Sequence, residues 1–66
     1  MLNTDKLKSK IIEKNTTIDE LSKQIGINKS TFHRKMRNNS FFVNEVDIIA
    51  KNLQLNSEEI SDIFFA

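Results

Sequence analysis

Sixty-six residues amount to one domain at most, about half the usual size, and ten Lys/Arg against nine Asp/Glu leave a formal charge of +1. With no Cys, one His and no apolar run near the ~18–20 residues that span a bilayer, the chain excludes a disulfide framework, zinc knuckles, most His-based metal sites and a membrane-spanning helix. No Pro, one Gly, 38% hydrophobic and 29% charged residues describe an ordinary globular composition with few of the turns that a β-rich architecture needs.

The periodicity predicts five short helices and no strand, since no stretch sustains an alternation of period 2. The first helix runs from about Asp5 to Lys14 with Thr4 as its N-cap. Leu7 and Ile11, four apart, form its inner stripe with Ile12 beside them, and Asn15 and Thr16 break it. The second opens at Thr17. Thr17 and Glu20 have the spacing of a capping box, in which the hydroxyl serves the amide three residues on and the carboxylate returns to the cap. Ile18, Leu21 and Ile25 make its buried face, and Gly26 ends it, because a left-handed backbone after a helix costs glycine least. Asn28 caps the third helix, Lys29 to about Arg37, with Phe32 and Met36 inward. Asn38-Asn39-Ser40 is a turn, and the fourth helix, from about Asn44 to Asn52, points Val46, Ile49, Ala50 and Leu53 inward. A second capping box, Asn56 with Glu59, opens a fifth helix that ends near Phe64, with Ile60, Ile63 and Phe64 on its apolar side.

Charge is segregated along the chain. Residues 21–44 hold five Lys/Arg, one His and no acid, whereas residues 45–66 hold one Lys against five acids. A basic middle of this kind points to a polyanionic partner. It coincides with a helix, a tight Gly26-Ile27-Asn28 turn and a second helix, the signature of a helix-turn-helix. Ser22 is the small residue that lets the two helices approach. The outer face of the second helix reads Ser30, His33, Arg34 and Arg37, at i, i+3, i+4 and i+7, and all four can hydrogen-bond. Such a helix suits the DNA major groove, where Arg pairs bidentately with guanine and Ser or Thr donates, accepts or meets a thymine methyl.

From Thr17 onward the chain resembles the Cro/CI-type (Xre-like) helix-turn-helix repressors of phages and bacteria. Thr17, Leu21, Ser22, Gly26, Ile27, Asn28, Ser30, Thr31, Phe32 and Met36 carry the likeness through the motif. Phe41, Val43, Glu45, Val46, Ile49-Ala50-Lys51, Leu53 and Leu55 carry it through the fourth helix, and Asn56 to Ile60 through the start of the fifth. The resemblance implies an all-α, lambda-repressor-like domain over residues 1–66. It also implies a double-stranded DNA operator as partner, a homodimer at least on DNA, and no cofactor, metal, catalytic residue or small-molecule substrate. Carried over residue by residue, it assigns base contacts to Lys29, Ser30, His33 and Arg34, and phosphate contacts to Thr17, Thr31, Arg37, Asn38 and Asn39. Two positions depart from the family: Ile18 stands where Gln is frequent, and Phe42 where a capping Thr or Ser is common.

The end of the chain, Ile63-Phe64-Phe65, holds more apolar surface than one short helix buries, so Ile63, Phe64 and Phe65, together with Phe42, are expected to form a dimer or docking surface. A protein-interaction module on the same fold, such as an antirepressor or an antitoxin-like partner, is the alternative function. An enzyme is not expected, because no nucleophile–base pair is in place. The polar N-terminus, MLNTDKLKSK, lacks the apolar stretch of a signal peptide, which leads to the expectation of a cytoplasmic protein.

Overall fold

A computed structural model describes residues 2–65. It is all-helical over those residues: α1 (Thr4–Glu13), α2 (Ile18–Ile25), α3 (Lys29–Asn38), α4 (Val43–Asn52) and α5 (Ser57–Phe64). Side-chain oxygens open four of the five helices, each accepting a backbone N–H three residues on: Asn3 from Lys6, Thr17 from Glu20, Asn28 from Thr31 and Asn56 from Glu59. The cap of α1 is therefore Asn3 and not Thr4. The N–H of Asn3 also donates to the Ile63 carbonyl (2.6 Å), which pins the start of the chain to α5. The capping box of α5 is complete, because the Asn56 N–H donates to the Glu59 carboxylate (3.0 Å). That of α2 is only half formed: the Glu20 carboxylate takes the Gln24 side chain instead of returning to Thr17.

One device ends α1 to α4. A residue in the left-handed region follows each of them: Asn15 (φ 60°), Gly26 (φ 88°), Asn39 (φ 52°) and Gln54 (φ 54°). The next N–H in each case, of Thr16, Ile27, Ser40 or Leu55, donates to the carbonyl five residues back, at 2.9–3.1 Å. These bonds satisfy carbonyls that the helix ends would otherwise leave orphaned, and they turn the chain sharply. Short reversals of this kind let helices of eight to ten residues surround one core.

That core joins Leu2, Leu7 and Ile11 with Leu21, Phe32, Met36, Ile49, Leu53, Ile63 and Phe64. Phe41 packs edge-on against Phe32 and Phe64, with ring centroids 5.0 and 6.3 Å away. Two expectations are corrected here. Ile12 is 78% exposed, because one residue beyond Ile11 is a turn of about 100° away from the inner face. Ile63 and Phe64 are buried in the core and present no docking surface, whereas Phe65 is 68% exposed. Lys6 pairs with Asp62 (3.1 Å) and Lys10 with Glu59, which fastens α1 to α5.

Candidate nucleic-acid interface

The α2–turn–α3 unit is built around Ser22. Its side chain is fully buried and its hydroxyl donates to the Ile18 carbonyl (2.7 Å), so the one polar atom in a close helix crossing is satisfied within its own helix. Gly26 supplies the left-handed turn, and Ile27, half-buried, packs against the core. Asn28 then caps α3 twice over, accepting the Thr31 N–H and the Ser30 hydroxyl, both at 2.8 Å.

At about 100° per residue, Phe32, Lys35 and Met36 fall on one side of α3, and all three are buried. Ser30, Arg34 and Arg37 then share an arc of about 60° on the opposite side, and all three are exposed. Lys29 and His33 lie on the flank nearest α1. His33 is half-buried and lines a groove of about 540 Å³ with Lys29, Thr17 and the α1 residues Lys8, Ile11 and Ile12. Arg37, Asn38 and Asn39 meet at the other end of α3, around a groove of about 350 Å³ that also touches Leu2 and Thr4. The expected phosphate contacts therefore divide into two groups, Thr17 beside the start of α3 and Arg37, Asn38 and Asn39 beside its end. Thr31 is half-buried on the flank away from α1 and joins neither groove.

Electrostatics single out the same face. Every helix but α3 carries an acid in its first turn, so only at α3 is the positive end of the helix dipole left without a local carboxylate. Lys6, Lys10, Lys14, Lys23, Lys35 and Lys51 each sit within an ion pair. The remaining Lys/Arg, with no ion pair among the described residues, are Lys8, Lys29, Arg34 and Arg37. Two of them are on the outer stripe of α3, and Lys8 and Lys29 line the groove that α3 shares with α1.

The sequence counted Lys35 as part of the basic middle, but the fold removes it from the surface. Lys35 Nζ donates to both oxygens of Glu45 at 2.8 Å, and both residues are buried. Phe42, which has no side-chain acceptor, precedes α4, so only the reciprocal half of a capping box forms there: Glu45 accepts the Phe42 N–H (2.8 Å). The Phe42 ring lies over Lys35 Nζ, 3.9 Å from its centroid, yet Phe42 remains 65% exposed. Val43 beside it is 85% exposed and lines an apolar groove of about 270 Å³ with Phe41, Val46, Ile60 and Phe65. Of the four expected docking residues, Phe42 and Phe65 are thus on the surface. Val43 and Ile12 are exposed apolar residues that the sequence does not place on the surface. Among the described residues no cluster of His, Asp or Glu is arranged to hold a metal, and no helix is long and apolar enough to cross a membrane.

Comparison with known families agrees with this geometry. The family model of the Cro/C1-type HTH DNA-binding domain matches residues 6–64, which takes in nearly all of α1, the helix-turn-helix and α5. No curated protein and no solved structure matches the chain.

Proposed function

The chain belongs to the Cro/C1-type helix-turn-helix DNA-binding family, and from that premise we propose that it is a transcription regulator that lays α3 in the major groove of a palindromic operator as a homodimer. The observation that carries this reading is the set of Lys/Arg without an ion pair among the described residues, which lie on α3 or on the groove beside it. Lys29, Ser30, His33 and Arg34 read base edges. The Ser30 hydroxyl gives its proton to Asn28 and so meets the bases as an acceptor. Thr17, Thr31, Arg37, Asn38 and Asn39 hold phosphates and fix the register of the helix in the groove. One copy offers few contacts, so useful affinity calls for two, with recognition helices about 34 Å apart on half-sites one turn of DNA apart. The exposed Phe42, Val43 and Phe65 are the surface proposed to join them. Repression follows from occlusion of the promoter.

Selection from a random duplex pool at near-physiological salt, followed by sequencing, tests this directly. The expected result is an enriched palindrome with half-sites about ten base pairs apart. A single enriched half-site removes the dimer and keeps the recognition. The same exposed apolar residues favour a second reading, a protein-interaction module. That reading takes over if the folded protein enriches no sequence, and it requires Phe42 or Phe65 to be essential while Lys29 and Arg34 are dispensable.

A further inference from the structure

We infer that Lys35 and Glu45 are positioning residues that set the roll of α3 about its own axis, and through it the base preference of the exposed stripe. The inference rests on the DNA-binding reading above.

α3 is held to the rest of the fold by three buried side chains, Phe32, Met36 and Lys35. Phe32 and Met36 make apolar contacts, which are non-directional and tolerate small rotations. Lys35 differs in kind. Its ammonium is fixed between both oxygens of Glu45, the Phe42 ring closes over it, and Glu45 is itself held by the Phe42 N–H at the start of α4. Two directional bonds to one carboxylate of α4, with the Phe42 ring over them, thus converge on one atom of α3, to one side of its apolar contacts. A roll of about 10° moves a side chain about 6 Å from the helix axis by roughly 1 Å, which exceeds the tolerance of a well-placed recognition group. An apolar filler in place of the pair leaves that roll unrestrained.

A buried ion pair is a poor source of stability, since removing two charges from water offsets most of their attraction, and well-packed uncharged replacements are frequently neutral. Stability and base preference should therefore separate. The departure at Phe42 bears on the same carboxylate: with the family's capping hydroxyl absent, only the Glu45 half of the capping box forms, and that carboxylate also faces Lys35.

The test is the double variant Lys35→Met/Glu45→Gln, which leaves no unpaired buried charge and keeps an acceptor for the Phe42 N–H. Three properties are compared with the parent: thermal midpoint, the ratio of affinities for the selected duplex and a scrambled one at two salt concentrations, and residual dipolar couplings of the α3 amides without DNA. Expected are a midpoint within a few degrees, altered couplings confined to α3, and a selected-to-scrambled ratio reduced roughly tenfold, the worth of about one good base contact. The salt dependence should not change, because Lys35 touches no phosphate. Parental couplings together with a parental ratio overturn the inference. So does a loss equal on both duplexes with a shallower salt dependence, which makes Lys35 a phosphate contact. If the parent selects no duplex yet the couplings shift, the DNA-binding reading falls and the positioning role stands. Lys35→Arg, which keeps the charges paired but changes the donor geometry, carries the same expectations should the double variant not fold.

Discussion

Replacing Arg34 by alanine removes the guanidinium at the outward centre of α3 and little else. Arg34 is exposed and has no ion-pair partner among the described residues, so the change to folding stability should stay within about 0.5 kcal/mol. Its effect on DNA is larger. A bidentate contact to a base discriminates by about 1–3 kcal/mol, or roughly 5- to 150-fold per half-site. In a dimer the two copies read half-sites about 34 Å apart, far enough for their losses to add to about 2–6 kcal/mol on a full palindrome. The assay is fluorescence anisotropy on the selected duplex and on duplexes with each half-site base changed in turn. Arg34→Ala should lower affinity for the parent site and flatten the preference at one position per half-site, leaving the other positions as sharp as before. Arg37→Ala is the control: as a phosphate contact it should weaken all duplexes alike. If the base preferences of Arg34→Ala are those of the parent at every position, the stripe does not face the groove and the base-reading assignment is wrong.

Gly26→Val should lower the denaturant midpoint without changing the slope. No atom lies within 4 Å of the position its Cβ would take, so the penalty is that of the left-handed backbone alone, about 1–2 kcal/mol, with some excess for β-branching. Ser22→Leu should cost about 1–3 kcal/mol in the same measurement, because the site is fully buried and the added volume forces α2 and α3 apart. It should also weaken DNA binding more than Gly26→Ala does. The Lys10 ammonium, and after it the Asn56 N–H, hold the Glu59 carboxyl below its ordinary range, and Glu59 in turn raises Lys10. The Glu59 contribution is thus present above its unfolded-state pKa and lost as pH falls through the lower folded value. The Lys10 contribution is present at neutral pH and lost only as pH rises through its raised value. Glu59→Gln should therefore flatten both the acid and the alkaline limbs of the thermal midpoint against pH, and limbs identical to the parent's would remove this pair from the stability of the fold.

The five helices were readable because each carries its own local signal: polar caps at Thr17, Asn28 and Asn56, a glycine after Ile25, and apolar residues four apart. What escaped depends on partners distant in sequence or on residues without a distinctive signature. Asn15, Asn39 and Gln54 end helices in the same geometry as Gly26, but Asn and Gln are common in loops for many reasons, so only glycine announced it. Asn3 and Thr4 are both good cap types, and the contact that holds Asn3 in place, to Ile63, spans sixty residues. Phe64 lies on the apolar side of its helix, but the ring that covers it, Phe41, comes from a segment distant in sequence. Lys35 is the instructive case. Nothing in its neighbourhood separates it from Lys29 or Arg34 except its place on the helix, about 60° from Phe32. That angle pointed inward, and Glu45, ten residues on, was a possible partner, but a basic residue in a basic stretch reads as surface.

This pairing changes what DNA should sense of the protein. The basic middle contains five Lys/Arg, but Lys35 is buried against Glu45 and Lys23 is engaged by Asp19 (3.7 Å), while α1 contributes Lys8. Among the described residues, the Lys/Arg without an ion pair in each copy are therefore Lys8, Lys29, Arg34 and Arg37. Each phosphate neutralised by a cation contributes about −0.9 to the slope of log K against log salt, so four cations in each of two copies set a limit of about −7, and a single copy about −3.6. If Lys23 and Lys35 were also free to meet the backbone, the dimer's limit would rise to about −11. The surface pair Lys23–Asp19 is the weaker restraint, and the buried pair is the one that should hold. Titration of the selected duplex from low to near-physiological salt at constant pH separates these cases. A slope between about −4 and −7 fits two copies bound through the unpaired cations. Release of the weaker Lys23 pair in both copies extends the limit only to about −9, so a slope well beyond −9 would mean that Lys35 leaves Glu45 on binding, and the buried pair could not then be what orients α3.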